Sequence, residues 1–193
     1  VFDGKSFIAL KAEDVRRASE RYKTKIPLVL MNSFATHEKS MAHVSENSHW
    51  QLADDQILSF EQSVSVRLNP DASLVVTESG EPSYHAPGHG DFFASIRRSG
   101  VLAELRSRGV AYVLFSNVDN LGATIDPSII GHHIDGGCPM TAEVTQKQRS
   151  ASGAWDKGGA PARVGGKKQL VEGFRFPPDF AQERLPDFST NNM

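Results

Sequence analysis

The residues best suited to chemistry lie in two polar segments, 84–93 and 112–124, with the sequences YHAPGHGDFF and YVLFSNVDNLGAT. The second segment has the pattern of a buried strand that runs directly into a polar loop carrying Asp119. Ligands of α/β proteins bind at the carboxyl ends of strands, which is where this loop would lie. Gly88 and Gly90 in the first segment allow the backbone to approach a ligand closely. Together the two segments indicate a nucleotide-sugar site.

The elements that must position these segments alternate between helix and strand. Apolar spacing predicts a helix over 7–22, and a nearly all-apolar run predicts a buried strand over 27–32. Thr36 is expected to cap a helix that runs to about residue 45. Further strands are predicted over 57–60, 111–116, 139–145 and 169–174, and helices over 91–98, over 101–108 and from 126 onward. The glycine-rich basic segment 150–168 is expected to be a loop or a hairpin. The pattern predicts one α/β domain with a largely parallel sheet.

Composition excludes several classes of protein. The 193 residues are 39% hydrophobic and 23% charged, with a formal net charge of -2, which is typical of a soluble globular domain. This charge gives no general attraction for nucleic acid or an anionic membrane, and no apolar run is long enough for a membrane helix. Cys138 is the only cysteine, so no intrachain disulfide can form and we expect a cytoplasmic location.

Four familiar motifs fail on inspection. Residues 88–93 begin like a dinucleotide fingerprint but place Phe93 where glycine or alanine is required. Gly166-Lys167 lacks the other residues of a phosphate-binding P-loop. The seven histidines are scattered and indicate no zinc site. A carboxylate pair for glycoside hydrolysis is not identifiable from the sequence.

Four groups of residues, in order along the chain, resemble one known family. They are PLVLMNSF at 27–34 with Thr36, PGHGD at 87–91, SNVDNLGAT at 116–124, and a later set at 143–145, 157–159, 170–172 and 190–192. On these motifs the chain is similar to the catalytic domain of the eukaryotic-type UTP–glucose-1-phosphate uridylyltransferases, also called UDP-glucose pyrophosphorylases. The resemblance spans almost the whole chain.

The resemblance implies a glycosyltransferase-A-like nucleotide-binding domain and a role for each matching residue. Met31 would line the base pocket, Gln62 would hydrogen-bond uracil, and Gly88 would offer its backbone to the nucleotide. His89 would contact the sugar-phosphate side and act in catalysis. Asn117 would touch both the nucleotide and the sugar phosphate, and Asp119 would act in catalysis and hold the metal. The sugar hydroxyls would be lined by Gly159, Glu172 and Asn192.

The implied reaction makes UDP-glucose and pyrophosphate reversibly from UTP and glucose-1-phosphate, with Mg²⁺ as cofactor. It needs no covalent intermediate, so positioning and charge neutralisation would supply the catalysis. Mg²⁺ prefers oxygen ligands and keeps several waters, so one carboxylate and the phosphates are enough to hold it. The implied partners are these substrates and products, with no nucleic acid and no membrane.

The chain departs from the family's pattern in ways that leave alternatives open. The family's glycine-rich loop with its lysine would precede a segment like residues 1–10, and a later lysine and a β-helical domain would follow residue 193. We therefore expect residues 1–193 to form a single partial catalytic domain that is weak or inactive alone. The alternatives are a non-catalytic UDP-sugar-binding module, or a pyrophosphorylase for another sugar-1-phosphate.

Five of the candidate residues also have a purely structural interpretation. Asp119 could cap its own turn, Met31 could pack in the core, and Gly88 could serve only turn geometry. His89 could be an ordinary loop residue, and Glu172 could be a solvated strand residue.

Overall fold

In a computed structural model, helix α1 (Phe7–Tyr22) begins the first of two compact units, Val1–Leu114 and Phe115–Met193. The structure describes residues 3–156, 158–181, 185 and 189–190. The Ser6 hydroxyl caps α1 by accepting a hydrogen bond from the Ala9 N–H at 3.2 Å. Its buried face consists of small or branched side chains at helical spacing: Ala9, Ala12, Val15 and Ala18. The predicted bounds of this helix are confirmed.

A parallel pair of strands forms the sheet of the first unit. Strand β1 (Leu28–Asn32) pairs with β2 (Ile57–Glu61), with Met31 opposite Phe60. Helix α2 (His37–Glu46) and two short 3-10 turns connect the strands. The predicted helix is confirmed with Thr36 at its N-cap position, but the Thr36 hydroxyl makes no capping hydrogen bond. The Thr36 hydroxyl accepts a hydrogen bond from the Ser33 N–H at 3.0 Å instead of from the helix.

Two helices cover this strand pair. Helices α3 (Phe92–Arg98) and α4 (Val101–Ser107) are separated at Gly100, whose φ of 85° is left-handed. The core of the unit is formed by Phe60 on β2, Ile96 on α3 and Leu105 on α4, each at most 4% exposed. The predicted helix break at residues 99–100 is confirmed, because glycine adopts this φ without steric cost.

A small antiparallel arm separates β2 from α3. Strands β3 (Ser65–Val66) and β4 (Tyr84–His85) pair with each other, and bridges join Leu68 to Leu74 and Val76 to Pro82. Tight turns close these pairs: the Ala72 N–H donates to the Asn69 carbonyl and the Gly80 N–H donates to the Thr77 carbonyl, each at 2.9 Å. The arm leads directly into the loop at 87–91.

The predicted strand over 111–116 is wrong, because these residues have no regular secondary structure. Its apolar side chains are half-exposed: Tyr112 at 50%, Val113 at 55% and Leu114 at 51%. A strand exists only with a hydrogen-bonded neighbour, and within the described residues no other strand pairs with this segment. The apolar pattern of residues 111–116 is suited to a strand, but it does not specify which other strand would pair with them.

The second unit contains one helix and two antiparallel pairs among its described residues. Helix α5 (Pro127–Gly136) begins as predicted, with the Asp126 carboxylate accepting a hydrogen bond from the Ser128 N–H at 2.7 Å. Strands β5 (Thr145–Gln146) and β8 (Ser189–Thr190) form one pair. Strands β6 (Ala160–Val164) and β7 (Lys167–Val171) form a hairpin.

Two strand predictions in this unit need correction. The strand predicted over 139–145 is present only at its last residue, Thr145. The strand predicted over 169–174 begins earlier and ends at Val171, because a 3-10 turn, Gly173–Arg175, follows it. Gly165 and Gly166 at the hairpin turn both have positive φ, 56° and 79°, as two-residue hairpin turns require.

The predicted α/β fold class with flanking helices is confirmed, but the predicted largely parallel sheet is confined, among the described strands, to the parallel pair β1 and β2. Within the described part of the chain, no helix has the length and apolar character needed to cross a membrane.

Candidate nucleotide and sugar-phosphate site

The end of strand β2 holds the glycine-rich loop through a side chain. The Gln62 N–H donates to the Asn32 carbonyl at 2.9 Å and so extends the pairing with β1 by one step. The Gln62 Oε1 then accepts a hydrogen bond from the Gly88 N–H at 2.8 Å, across 26 residues of sequence. Two residues that the sequence assigned to the nucleotide are therefore in direct contact at the carboxyl end of the sheet.

Gly88 has a backbone conformation that other residues avoid. Its φ is 87° and its ψ is -159°, a region that is essentially restricted to glycine. A Cβ built on Gly88 would meet no atom within 4 Å. Glycine is therefore required for backbone geometry, and the space beside it is open to a ligand.

Met31 lies at the same end of the sheet and is half-buried. Its side chain packs against the core cluster of Phe60, Ile96 and Leu105. This contact supports the interpretation of Met31 as a residue that packs in the core. The part of Met31 that remains exposed lies at the carboxyl end of β1.

His89 follows Gly88 and is exposed in a 3-10 turn, His89–Asp91. This turn leads without a gap into helix α3. The ring is accessible from solvent, as a phosphate-contacting side chain must be.

Asp91 is a residue of this loop to which the sequence analysis assigned no role. Its carboxylate accepts hydrogen bonds from the Ser63 N–H at 2.6 Å, from the Ser63 hydroxyl at 3.1 Å and from the Ser95 hydroxyl. These bonds, first that from the Ser63 backbone, hold the pKa of Asp91 below its ordinary value of 3.8. In the sequence, only the place of Asp91 in the PGHGD motif indicated that this residue could contribute to the site.

The polar loop of the second unit is a series of tight backbone turns. The Asn120 N–H donates to the Asn117 carbonyl at 3.2 Å, and the Leu121 N–H donates to the Asp119 carbonyl at 2.9 Å. In a further turn, the Thr124 N–H donates to the Gly122 carbonyl at 3.0 Å. These turns are closed by main-chain hydrogen bonds that do not involve the Asp119 side chain.

The Asp119 carboxylate is exposed, and no side-chain hydrogen bond or ion pair forms on it within the described residues. The interpretation of Asp119 as a residue that caps its own turn through its carboxylate therefore finds no support. No group of three or more His, Cys, Asp or Glu side chains suited to a metal occurs in the described part of the chain. A lone carboxylate fits Mg²⁺ that is held jointly with phosphates and water, and it does not fit a metal held by protein alone.

Gly159 and Glu172 are neighbours at the open end of the β6–β7 hairpin. A Cβ on Gly159 would lie 2.4 Å from the Val171 carbonyl oxygen and 3.2 Å from the Glu172 Cα. Only glycine permits this approach without a backbone shift. The Glu172 side chain is exposed.

Lys147 is a second residue that the sequence analysis missed. Although charged, it is 4% exposed, and its Nζ donates to the Gly158 carbonyl at 3.0 Å. This bond holds the chain next to Gly159. No motif marked Lys147, because a lysine in a polar segment is normally solvated.

The predicted site residues thus form three local groups. Gln62, Gly88 and His89 lie together, with Met31 at the same strand ends. Asn117 and Asp119 share one loop, and Gly159 contacts Glu172. Asn192 lies outside the described residues.

Solved structures with a similar fold are UDP-sugar pyrophosphorylases. UDP-glucose phosphorylase from Trypanosoma brucei superposes with a TM-score of 0.77 at 24% identity, covering 98% of this chain and 43% of that one. UDP-N-acetylglucosamine pyrophosphorylase from the same organism gives a TM-score of 0.76 at 24% identity, covering 100% of this chain and 40% of that one. The chain therefore has the α/β fold of these two proteins.

A family profile for UTP–glucose-1-phosphate uridylyltransferase matches residues 1–193, and the chain belongs to that family. Similar curated relatives include UTP–glucose-1-phosphate uridylyltransferase 2 of Dictyostelium discoideum, 34% identical over 98% of this chain. The Saccharomyces cerevisiae UTP–glucose-1-phosphate uridylyltransferase is 33% identical over 100% of this chain. The chain spans 38% and 39% of the lengths of these two relatives.

Proposed function

We propose that this chain builds the nucleotide and sugar-phosphate site of a UTP–glucose-1-phosphate uridylyltransferase. The observation that carries the proposal is the hydrogen bond between Gln62 Oε1 and the Gly88 N–H. It places two candidate nucleotide ligands together at the carboxyl end of a parallel strand pair, where α/β folds bind nucleotides. Membership of the uridylyltransferase family supports the same assignment.

In the proposed reaction a phosphate oxygen of glucose-1-phosphate attacks the α-phosphorus of UTP. One phosphorus–oxygen bond forms, the bond from the α-phosphorus to the bridging oxygen breaks, and pyrophosphate leaves with its electron pair. Catalysis then depends on holding the two phosphates in line and on neutralising their charge.

The first unit would bind uridine. Gln62 uses its oxygen on Gly88, so the hydrogens of its amide group are directed elsewhere and can donate to a uracil carbonyl. Gly88 leaves open space beside its backbone, and Met31 would contribute an apolar surface from the strand end. His89 would donate a hydrogen bond to the sugar-phosphate side from its exposed turn.

The loop at 117–124 would serve the phosphates. Asn117 would donate its amide hydrogens to phosphate oxygens, and Asp119 would hold Mg²⁺ through its exposed carboxylate. The bound Mg²⁺ would supply positive charge to the phosphates. The backbone turns at Asn117 and Asp119 fix the loop before any ligand arrives.

The hairpin end would bind the sugar. Gly159 and Glu172 are adjacent, and Glu172 presents an exposed carboxylate that can accept hydrogen bonds from hydroxyl groups. Asn192 is proposed for the same pocket on its motif alone. A structure of the Leishmania major UDP-glucose pyrophosphorylase contains UDP-glucose, and we propose the same product for this chain.

We further propose that residues 1–193 act as one partial catalytic domain, that the site serves glucose rather than another sugar, and that the protein works in the cytoplasm. The fold itself occurs in enzymes named for UDP-glucose and for UDP-N-acetylglucosamine, so the choice of sugar depends on the family match.

Isothermal titration of UDP-glucose into the chain with Mg²⁺ tests this proposal, with UDP-galactose, UDP-N-acetylglucosamine and CDP-glucose as comparisons. We expect saturable binding of UDP-glucose, and weaker binding of each of the other three ligands. Tighter binding of UDP-N-acetylglucosamine would shift the proposal to another sugar, and equal binding of CDP-glucose would contradict a uridine site. A multiple-turnover assay with UTP and glucose-1-phosphate then separates an active enzyme from a binding module.

A further inference from the structure

Asp91 connects the glycine-rich loop to the end of strand β2. Its Oδ2 accepts hydrogen bonds from the Ser63 N–H at 2.6 Å and from the Ser95 hydroxyl, and its Oδ1 accepts from the Ser63 hydroxyl at 3.1 Å. The Arg98 Nη2 donates to the Ser95 hydroxyl at 2.8 Å and extends this network along α3. Ser95 itself is fully buried.

The two adjacent residues after β2 hold both ends of the loop. Gln62 binds the Gly88 N–H, and Ser63 binds the Asp91 carboxylate, at separations of 26 and 28 residues in the sequence. The Asp91 N–H donates to the Gly88 carbonyl at 3.1 Å and closes the loop on itself. The bond between Asp91 and Ser63 is therefore a second attachment of the loop, beside the bond between Gly88 and Gln62.

We infer that Asp91 is a positioning residue for nucleotide binding, which acts by holding Gly88 against Gln62 through Ser63. This inference depends on the proposed function, because it assumes that Gln62 and Gly88 contact the nucleotide. A carboxylate has about four acceptor sites, and Asp91 uses three of them on protein donors. Asp91 is thus committed to the loop rather than to a metal or a substrate.

The consequence for binding is the fixed orientation of Gln62. An N–H donor requires an oxygen acceptor, so the Gly88 N–H forces the Gln62 amide to direct its oxygen to the loop and its hydrogens away from it. Releasing the loop would free that amide to rotate and would lose the preorganised donors. Loss of preorganisation weakens binding without removing any group that touches the ligand.

Three variants separate positioning from mere stability. Asp91→Ala removes the acceptors. Asp91→Asn retains one oxygen for the Ser63 N–H, while its amide hydrogens can donate to the Ser63 hydroxyl, which accepts as well as it donates. Asp91→Asn combined with Ser63→Ala removes that acceptor but keeps the bond to the main-chain N–H of residue 63, so it should fall between the two single variants.

Asp71→Ala is the matched control. The Asp71 Oδ1 accepts from the Ser73 N–H at 3.0 Å and from the Ser73 hydroxyl at 2.6 Å, the same pair of donors that Ser63 presents to Asp91. The bonds of Asp71 lie within the arm and do not reach the glycine-rich loop. A loss that follows from any broken bond between aspartate and serine would affect both variants equally.

The experiment measures amide hydrogen exchange at Gly88 and the dissociation constant of UDP-glucose in the same 193-residue chain. For Asp91→Ala we expect exchange at Gly88 to become faster, and the dissociation constant to rise, each by about 10- to 100-fold. Asp91→Asn should stay within about threefold of the unmutated chain, because its hydrogen bonds are restored. Asp71→Ala should change neither quantity.

Other outcomes overturn the inference in distinct ways. Continued protection of Gly88 in Asp91→Ala contradicts it, whatever the affinity. Equal damage in Asp91→Asn and Asp91→Ala would mean that charge, not hydrogen-bond geometry, is what matters. If the unmutated chain does not bind UDP-glucose, the proposed function fails, while exchange at Gly88 still decides whether Asp91 holds the loop. If Asp91→Ala does not fold, the double variant still carries the test, because exchange at Gly88 should be faster in it than in Asp91→Asn.

Discussion

Replacing Gly88 with alanine tests whether the loop geometry supports nucleotide binding. The φ of 87° and ψ of -159° at Gly88 are unfavourable for a residue with a Cβ, although no atom lies within 4 Å of the site that the Cβ would occupy. The penalty therefore comes from the local backbone and not from packing. The chain can relieve it only by rotating the peptide and moving the Gly88 N–H away from Gln62.

The size of the effect follows from this strain. A non-glycine residue in such a region costs about 1–3 kcal/mol. If the loop stays in place, the whole cost appears as a lower free energy of unfolding. If the loop relaxes, the bond to Gln62 breaks and the cost appears as weaker binding, by roughly 5- to 150-fold at 1.4 kcal/mol for each factor of ten.

Urea unfolding and UDP-glucose titration of Gly88→Ala measure both possibilities. Gly90→Ala is the matched control, because Gly90 lies two residues further along the same loop, has no atom within 4 Å of a Cβ and does not have positive φ. We expect Gly90→Ala to stay within about 0.5 kcal/mol of the unmutated chain. If Gly88→Ala matches Gly90→Ala in both stability and affinity, the argument from backbone strain is refuted.

Three further predictions follow from the contacts. Gly159→Ala should lower the free energy of unfolding by about 1–3 kcal/mol, since its Cβ would lie 2.4 Å from the Val171 carbonyl oxygen. The control is Gly131→Ala on helix α5, where the added Cβ would have no atom within 4 Å. This variant should raise the free energy of unfolding by about 0.5–1 kcal/mol in the same urea titration. Asp126→Ala should cost about 0.5–2 kcal/mol by removing the cap of α5, as thermal unfolding would detect. Because hydrogen bonds lower the pKa of Asp91 below 3.8, protection of the Gly88 amide should be complete above that pH and should decline only as the pH falls through the lower folded value. Protection that declines instead near neutral pH, measured by hydrogen exchange, would contradict the assignment to Asp91.

Local rules predicted much of the fold. The helix Phe7–Tyr22, the break at Gly100 and the start of α5 at Asp126 follow from apolar spacing, glycine and capping chemistry, all of which act within a few residues. The failures concern pairing. Segments 111–116 and 139–144 look like strands, but whether a segment becomes a strand depends on a partner that its own residues do not specify.

The candidate site shows the same division. The motifs identified Gly88 and Asp119, and the resemblance pointed to Gln62, but nothing in the sequence indicated that Gln62 and Gly88 would bond to each other. Lys147 and Asp91 were missed as contributors because their contacts are with backbone and hydroxyl groups distant in sequence. Long-range contacts of this kind become visible only once the chain is folded.

The central claim is that these residues bind a uridine sugar nucleotide with Mg²⁺ at Asp119. The most direct test is a UDP-glucose titration with and without Mg²⁺, comparing the unmutated chain, Asp119→Ala and Asp135→Ala. Asp135 is an exposed carboxylate on α5 of the same unit and serves as the control. We predict saturable binding that Mg²⁺ strengthens in the unmutated chain and in Asp135→Ala, and a loss of that Mg²⁺ effect in Asp119→Ala. Binding that responds equally to Mg²⁺ in all three chains would contradict the claim.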